Sequence, residues 1–232
     1  MGPSVPRVIA VVEGSTEQAF IQRVLEPHLA PFNVQISARI IGEPGHKGGD
    51  VKFLRVINDV TLLLKQEPST YVTMLVDRYG VQSDWPDLAR IRSQTDPALA
   101  LEFMCRTLQL RVLEELGEDV VGDRFLPYVQ HYESEAFLFV SPAVSARVMG
   151  AEYRESSLVK VRQLFVTPEH INDSPLTAPS KRIQKLFPGY QKGRGLNAHL
   201  PMVCEAVGLA SIRNECPLFD AWVGSLEGLG AT

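Results

Sequence analysis

The stretch VIAVVEGSTE, Val8–Glu17, constrains this chain more than any other. A short apolar run, mostly β-branched, ends abruptly at Glu13. An unbroken run of that kind suits a strand covered on both faces, as parallel strands are. Ser15 and Gln18 have the spacing of a capping box, which predicts a helix opening at about Thr16. Glu13 then falls at the carboxyl end of a buried strand, beside a helix N-terminus. In open α/β sheets that rim is where ligands bind.

The rest of the chain continues the alternation. Thr16 to about Leu29 reads as a helix whose end is blurred by Pro27 and Pro31. Val34, Ile36, Ala38 and Ile40 alternate with polar residues, which predicts a half-buried second strand near an edge. Gly42–Gly49 reads as a loop, and Asp50 as the cap of a helix over Val51–Gln66. Thr70–Val76 predicts a third strand, which runs into Asp77 and then a polar, Pro-containing loop. Asp96-Pro97 opens a further helix well, with Asp as cap and Pro at the first helical position, and Gly117 closes it. Phe125–Gln130 predicts a fourth strand leading to His131-Tyr132-Glu133-Ser134-Glu135 and a helix start. From Pro142 on, the chain reads as helical segments only. The expectation is an α/β fold with a mainly parallel four-stranded sheet, order 2-1-3-4, and helices on both faces. Residues 1–141 form the α/β core and 142–232 a helical extension packed on it as one structural unit.

Three of the four strands end in acids: Glu13, Asp77 and the pair Glu133/Glu135. For Glu13 and Asp77 to meet, strands 1 and 3 should be neighbours, and the doubly wound order 2-1-3-4 achieves this. Clustered carboxylates need a cation, and oxygen-only ligands select hard divalent ions, Mg²⁺ or Mn²⁺. Such ions attack phosphodiesters by polarising the phosphoryl oxygen and activating water. The competing reading is that these acids cap helices and turns.

Net charge is −4, so no global polycation announces a nucleic-acid partner. Locally the balance differs. Ser174–Cys204 contains no Asp or Glu but carries Lys181, Arg182, Lys185, Lys192 and Arg194. That segment is a phosphate-contact candidate or, equally, a solvated basic face. Lys47, in GEPGHKGG, offers a cation beside flexible backbone amides, though the order is not that of a P-loop. His131 reads as a base, a ligand or a structural histidine. Ser15 is not in a nucleophile elbow. The three cysteines are scattered and form no CxxC pair, so neither disulfides nor a zinc site is expected. No segment reads as a signal peptide or membrane span, and the expectation is a cytoplasmic protein.

Glu13-Gly14-Ser15-Thr16-Glu17 resembles the E-G-x-T-E motif that opens Toprim-like domains of the overcoming-lysogenization-defect (OLD) nuclease type. Several further motifs join it: Pro27-His28-Leu29, His46-Lys47-Gly48-Gly49, Asp77-Arg78-Tyr79-Gly80, Glu133-Ser134-Glu135-Ala136, Ile171-Asn172-Asp173, Pro179-Ser180-Lys181-Arg182 and Phe187-Pro188-Gly189-Tyr190-Gln191-Lys192. Together they make the chain similar, from about Arg7 to Leu226, to the uncharacterised family catalogued as domain of unknown function 4276. The resemblance implies a Toprim-like fold. In that superfamily a Glu after strand 1 and a D-x-D after strand 3 support Mg²⁺-dependent strand cleavage or transfer. Glu13 and Asp77 match; Tyr79 stands where the second Asp would be, and Glu133 or Glu135 would replace the missing ligand. Family members also resemble partners of AAA-type ATPases in phage-defence gene pairs.

The expected function is therefore a Mg²⁺- or Mn²⁺-dependent nuclease acting on nucleic acid, with DNA ranked ahead of RNA and the substrate otherwise open. Glu13, Asp77, Glu133 and Glu135 are the expected metal ligands and catalytic groups. Lys47, Lys181, Arg182 and Lys192 are expected to hold the phosphates. A non-catalytic subunit that binds nucleic acid or an ATPase through the same rim is the main rival, and Tyr79 speaks for it. A small-molecule phosphotransferase or phosphatase is a third reading.

Overall fold

A computed structural model describes residues 5–42, 48, 51–172, 174, 176–190 and 198–231. The strands are β1 (Arg7–Val12), β2 (Gln35–Ile40), β3 (Thr70–Asp77), β4 (Phe125–Leu126) and β5 (Val129–Gln130). All pair in parallel, in the order β2-β1-β3-β4, with β5 also on β3. The expected neighbours β1 and β3 are adjacent, with Val12 opposite Leu75. The predicted single strand Phe125–Gln130 is in fact two short ones. Pro127 lies between them and has no N–H to donate, so the ladder stops at Leu126 and resumes at Val129.

The helices are, in order, α1 (Ser15–Phe20), α2 (Glu26–Leu29), α3 (Phe53–Gln66), α4 (Leu88–Ser93), α5 (Pro97–Leu116) and α6 (Glu118–Val121). The C-terminal part adds α7 (Pro142–Val148), α8 (Glu155–Arg162), α9 (Pro179–Leu186), α10 (His199–Val207), α11 (Leu209–Glu215) and α12 (Pro217–Gly228). The first helix opens one residue earlier than its motif predicts. Gly14 is the N-cap, and its N–H donates to the Glu17 carboxylate at 3.0 Å. Between α1 and α2 the chain widens into a π-turn at Ile21–Leu25, just before Pro27. Glu26 N–H reaches back to the Ile21 carbonyl, which keeps the helix continuous up to a residue that cannot donate. Helix α3 starts at Phe53 behind Lys52, and its predicted cap Asp50 lies outside the described residues. Asp96 caps α5 as expected, accepting from the N–H groups of Ala98 and Leu99. Helix α4 occupies part of the stretch read as a loop.

Side-chain alternation along the strands splits the core in two. Val8, Ala10 and Val12 face a cluster with Phe20, Leu25, Phe137, Phe219 and Trp222. Ile9, Val11, Val72, Met74 and Val76 face the other, with Val56, Ile57 and Val60 of α3 and Met104 and Leu108 of α5. The C-terminal helices therefore cover one face of the sheet and α3 and α5 the other. No helix among the described residues is long and apolar enough to cross a membrane.

Candidate functional site

The parallel strands end together at one rim, and the acids that follow them are drawn into the architecture. Asp77 Oδ1 accepts from the Ser134 N–H at 2.8 Å and from its hydroxyl at 2.6 Å. It thereby caps the 3₁₀ turn Ser134–Phe139. Glu133 accepts from Ser180 through both oxygens, from the N–H at 2.7 Å and the hydroxyl at 2.8 Å, so it caps α9. Glu135 accepts from the Tyr190 hydroxyl at 3.1 Å, and burial together with that carboxylate raises the phenol's pKa. Asp77, Glu133 and Glu135 are all buried. A carboxylate held by amides and hydroxyls at a helix start is a favourable arrangement without any metal. Among the described residues, no group of three or more His, Cys, Asp or Glu is disposed to hold a metal ion.

Glu13 is placed differently. A Cβ added to Gly80 would meet Glu13 Oε2 at 2.6 Å and Val51 Cγ2 at 2.9 Å. The first strand's acid therefore lies against the loop that begins at Asp77, and only a glycine leaves it room. The strand register sets this up, since β1 and β3 are in step and Glu13 follows Val12 as Val76 follows Leu75.

Beside these acids lies a cleft of about 980 Å³. Arg78, Tyr79, Tyr132, Glu133, Asn172 and Lys181 line it, with Arg92 at one side and Leu164, Phe165 and Val166 along a lip. Arg78 is only 3% exposed. Its Nη2 donates to the carbonyls of Ile91 and Gln94, and its Nη1 lies 3.1 Å from His131 Nε2. The Tyr132 ring lies 5.3 Å away. Burial lowers the Arg78 pKa, partly offset by the two tyrosines. Burial, with the Arg78 charge beside it, pushes His131 down to about 2, so the imidazole is neutral and acts as a support for the guanidinium rather than a base. Asn172 donates to the Tyr79 hydroxyl, while its Oδ1 is buried with no partner among the described residues. Burial raises the Tyr79 pKa, against the pull of that hydrogen bond. Tyr132 itself sits at φ 62°, a left-handed conformation that costs free energy and collects at functional sites.

The expected phosphate contacts separate. Lys181 is exposed and lines the cleft. Arg182, its neighbour, donates through Nε to the Thr177 carbonyl at 2.7 Å and stacks over Phe165, so it braces the cleft wall. Lys47 and Lys192 lie outside the described residues, as does Arg194. Residue-by-residue reading gave no role to Arg78, Arg92, Tyr132 or Asn172. The signal for two of them lay in the motifs themselves: Arg78 is inside Asp77–Gly80, and Asn172 inside Ile171–Asp173.

These features define an α/β protein with a cationic, aromatic-walled cleft at the carboxyl ends of a parallel sheet. The chain belongs to the family described as Domain of unknown function (DUF4276), matched over residues 12–227. No curated protein and no solved structure matches it.

Proposed function

We propose that this protein binds nucleic acid through the rim cleft, as a subunit that holds phosphates without cutting them. One observation carries the reading: Arg78, Arg92 and Lys181 line the same cleft, and none has a carboxylate within ion-pair distance among the described residues. Three uncompensated cations around one cavity, in a chain of net charge −4, are a site for a polyanion. The rings of Tyr79 and Tyr132, with centroids 5.3 Å apart and planes tilted by 59°, add aromatic faces of the kind bases stack on. The capping bonds to Asp77 and Glu133 favour binding over cleavage. The resemblance to partners of AAA-type ATPases in phage defence supports a role beside such an ATPase.

The expected nuclease remains the second reading, and Glu13 is the observation in its favour. Mg²⁺ is commonly held by one or two carboxylates together with substrate phosphates. Glu13 and Asp77, on adjacent strand ends, are a fitting pair for an ion that arrives with the nucleic acid. The Toprim resemblance of Glu13–Glu17 supports the same pair. When bound, the ion would supply charge neutralisation at a phosphodiester.

The test is fluorescence anisotropy with labelled single- and double-stranded DNA and RNA over a range of salt. Lys181→Ala should weaken binding and reduce the salt slope by about one ion. An unchanged slope and affinity would show that Lys181 is only a surface charge. Cleavage of the same probes with Mg²⁺ or Mn²⁺, lost in Glu13→Gln and Asp77→Asn, would decide for the nuclease.

A further inference from the structure

We infer that the cleft takes the phosphorylated end of a nucleic-acid strand, with Arg78 as the anchor for the terminal phosphate. The inference rests on the nucleic-acid reading and adds to it which part of the strand enters.

The cations are graded by depth. Arg92 and Lys181 are exposed at the mouth, whereas Arg78 is almost fully buried and still lines the cavity. Its protein partners are two backbone carbonyls, the His131 imidazole and the nearby Tyr132 ring. They satisfy its N–H groups in part and orient its plane, but none carries a compensating charge. A buried cation without an anionic partner keeps most of its desolvation cost. An anion delivered from the cleft would offset it.

An internal phosphodiester is poorly placed to be that anion. It carries one negative charge, and the strand would have to pass down to the buried guanidinium and out again. A terminal monoester carries about −1.5 to −2 at neutral pH and needs to enter only once. Planar guanidinium donors match such a group geometrically. A cavity of about 980 Å³ leaves room beyond the phosphate for its nucleoside. That nucleoside meets the Tyr79 and Tyr132 rings and Asn172. The Asn172 amide has one buried polar atom without a partner among the described residues. Turning the amide over would give Tyr79 the oxygen and leave N–H donors instead, so in either orientation one end remains for a ligand.

The experiment compares one short single-stranded sequence carrying a 5′-phosphate, a 3′-phosphate or hydroxyls at both ends. Anisotropy is measured on the full chain without divalent metal. One phosphorylated end should bind at least tenfold more tightly than the hydroxyl-ended strand. Arg78→Gln should reduce that ratio to within about twofold, and Arg78→Lys should keep part of it. Because Arg78 is buried, its variants could fail to fold, so a competition on the wild type stands beside them. A nucleoside monophosphate should displace the labelled strand at concentrations where the nucleoside does not. Equal affinity for all three ends overturns the inference; if Lys181→Ala still lowers the affinity and salt slope, the nucleic-acid reading survives it. Failure of every strand to bind overturns both.

Discussion

Gly80 is the residue on which the two strand-end motifs close. Glu13 and Val51 occupy the space a methyl group would need, at 2.6 and 2.9 Å from its Cβ position. The tip of Glu13 can swing away, whereas Val51 is fully buried and can move only with the core. Overpacking of this kind costs about 1–3 kcal/mol. Gly80→Ala should therefore lower the melting temperature by roughly 2–4 °C per kcal/mol in a chain of this size, and displace the Glu13 carboxylate. If the first strand's acid is needed for metal-dependent cleavage, the same variant should lose it. An unchanged melting curve would mean that the close approach of Glu13 and Val51 is loose. At this scale the sequence shows which residue types stand at strand ends, but not what each touches. Asp77 and Glu133 read equally well as ligands or as caps, and only the positions of Ser134 and Ser180 reveal the capping bonds.

Among the elements, α12 has a titratable start. Glu169, 1% exposed, accepts from the N–H groups of Leu218 and Phe219 at 3.1 and 2.9 Å. Burial raises its pKa to about 7, although both amide bonds pull the other way. A carboxyl whose folded pKa exceeds its unfolded one binds its proton more tightly when folded. Its contribution is fully present below the unfolded value, near 4.3, and is lost as pH rises through 7. The loss is on the order of 3 kcal/mol. Urea unfolding of wild type and Glu169→Gln across that window should show the wild type losing stability relative to the variant as pH rises. The variant carries a fixed cost at every pH for one poorly met amide. His131, whose depressed pKa acts in the opposite sense, cancels in the difference. A constant gap between the two proteins would show that Glu169 stays charged. Nothing in the local sequence marks Glu169. Its partners are about fifty residues away, so its role depends on how α12 docks.

In the whole molecule, the sheet is finished by the end of the chain. Trp222 donates to the Thr73 hydroxyl at 2.8 Å and stacks on Tyr128, with centroids 4.7 Å apart. Thr73 in turn donates to the Leu126 carbonyl, so α12 is tied to both β3 and β4. Trp222→Ala should cost about 3–5 kcal/mol, a large share of a typical domain's stability, and shift the urea midpoint accordingly. Trp222→Phe keeps most of the ring volume and should lose only about 1 kcal/mol, the value of one hydrogen bond. Equal losses in the two variants would mean that the indole N–H, not packing, secures α12.

The sequence by itself determined the parallel α/β core and the strand ends at which Glu13 and Asp77 stand, because hydrophobic periodicity and turn chemistry are local. It also determined the Asp96 cap and the helical character of the last third. Tertiary structure decided the rest. It assigned Asp77 and Glu133 to Ser134 and Ser180, and set Arg182 over Phe165 in the wall with Lys181 in the cleft. It also buried Arg78 with no carboxylate within ion-pair distance among the described residues. Each of these depends on partners distant in sequence, brought together only when both faces of the sheet are covered, and no local pattern encodes such a meeting.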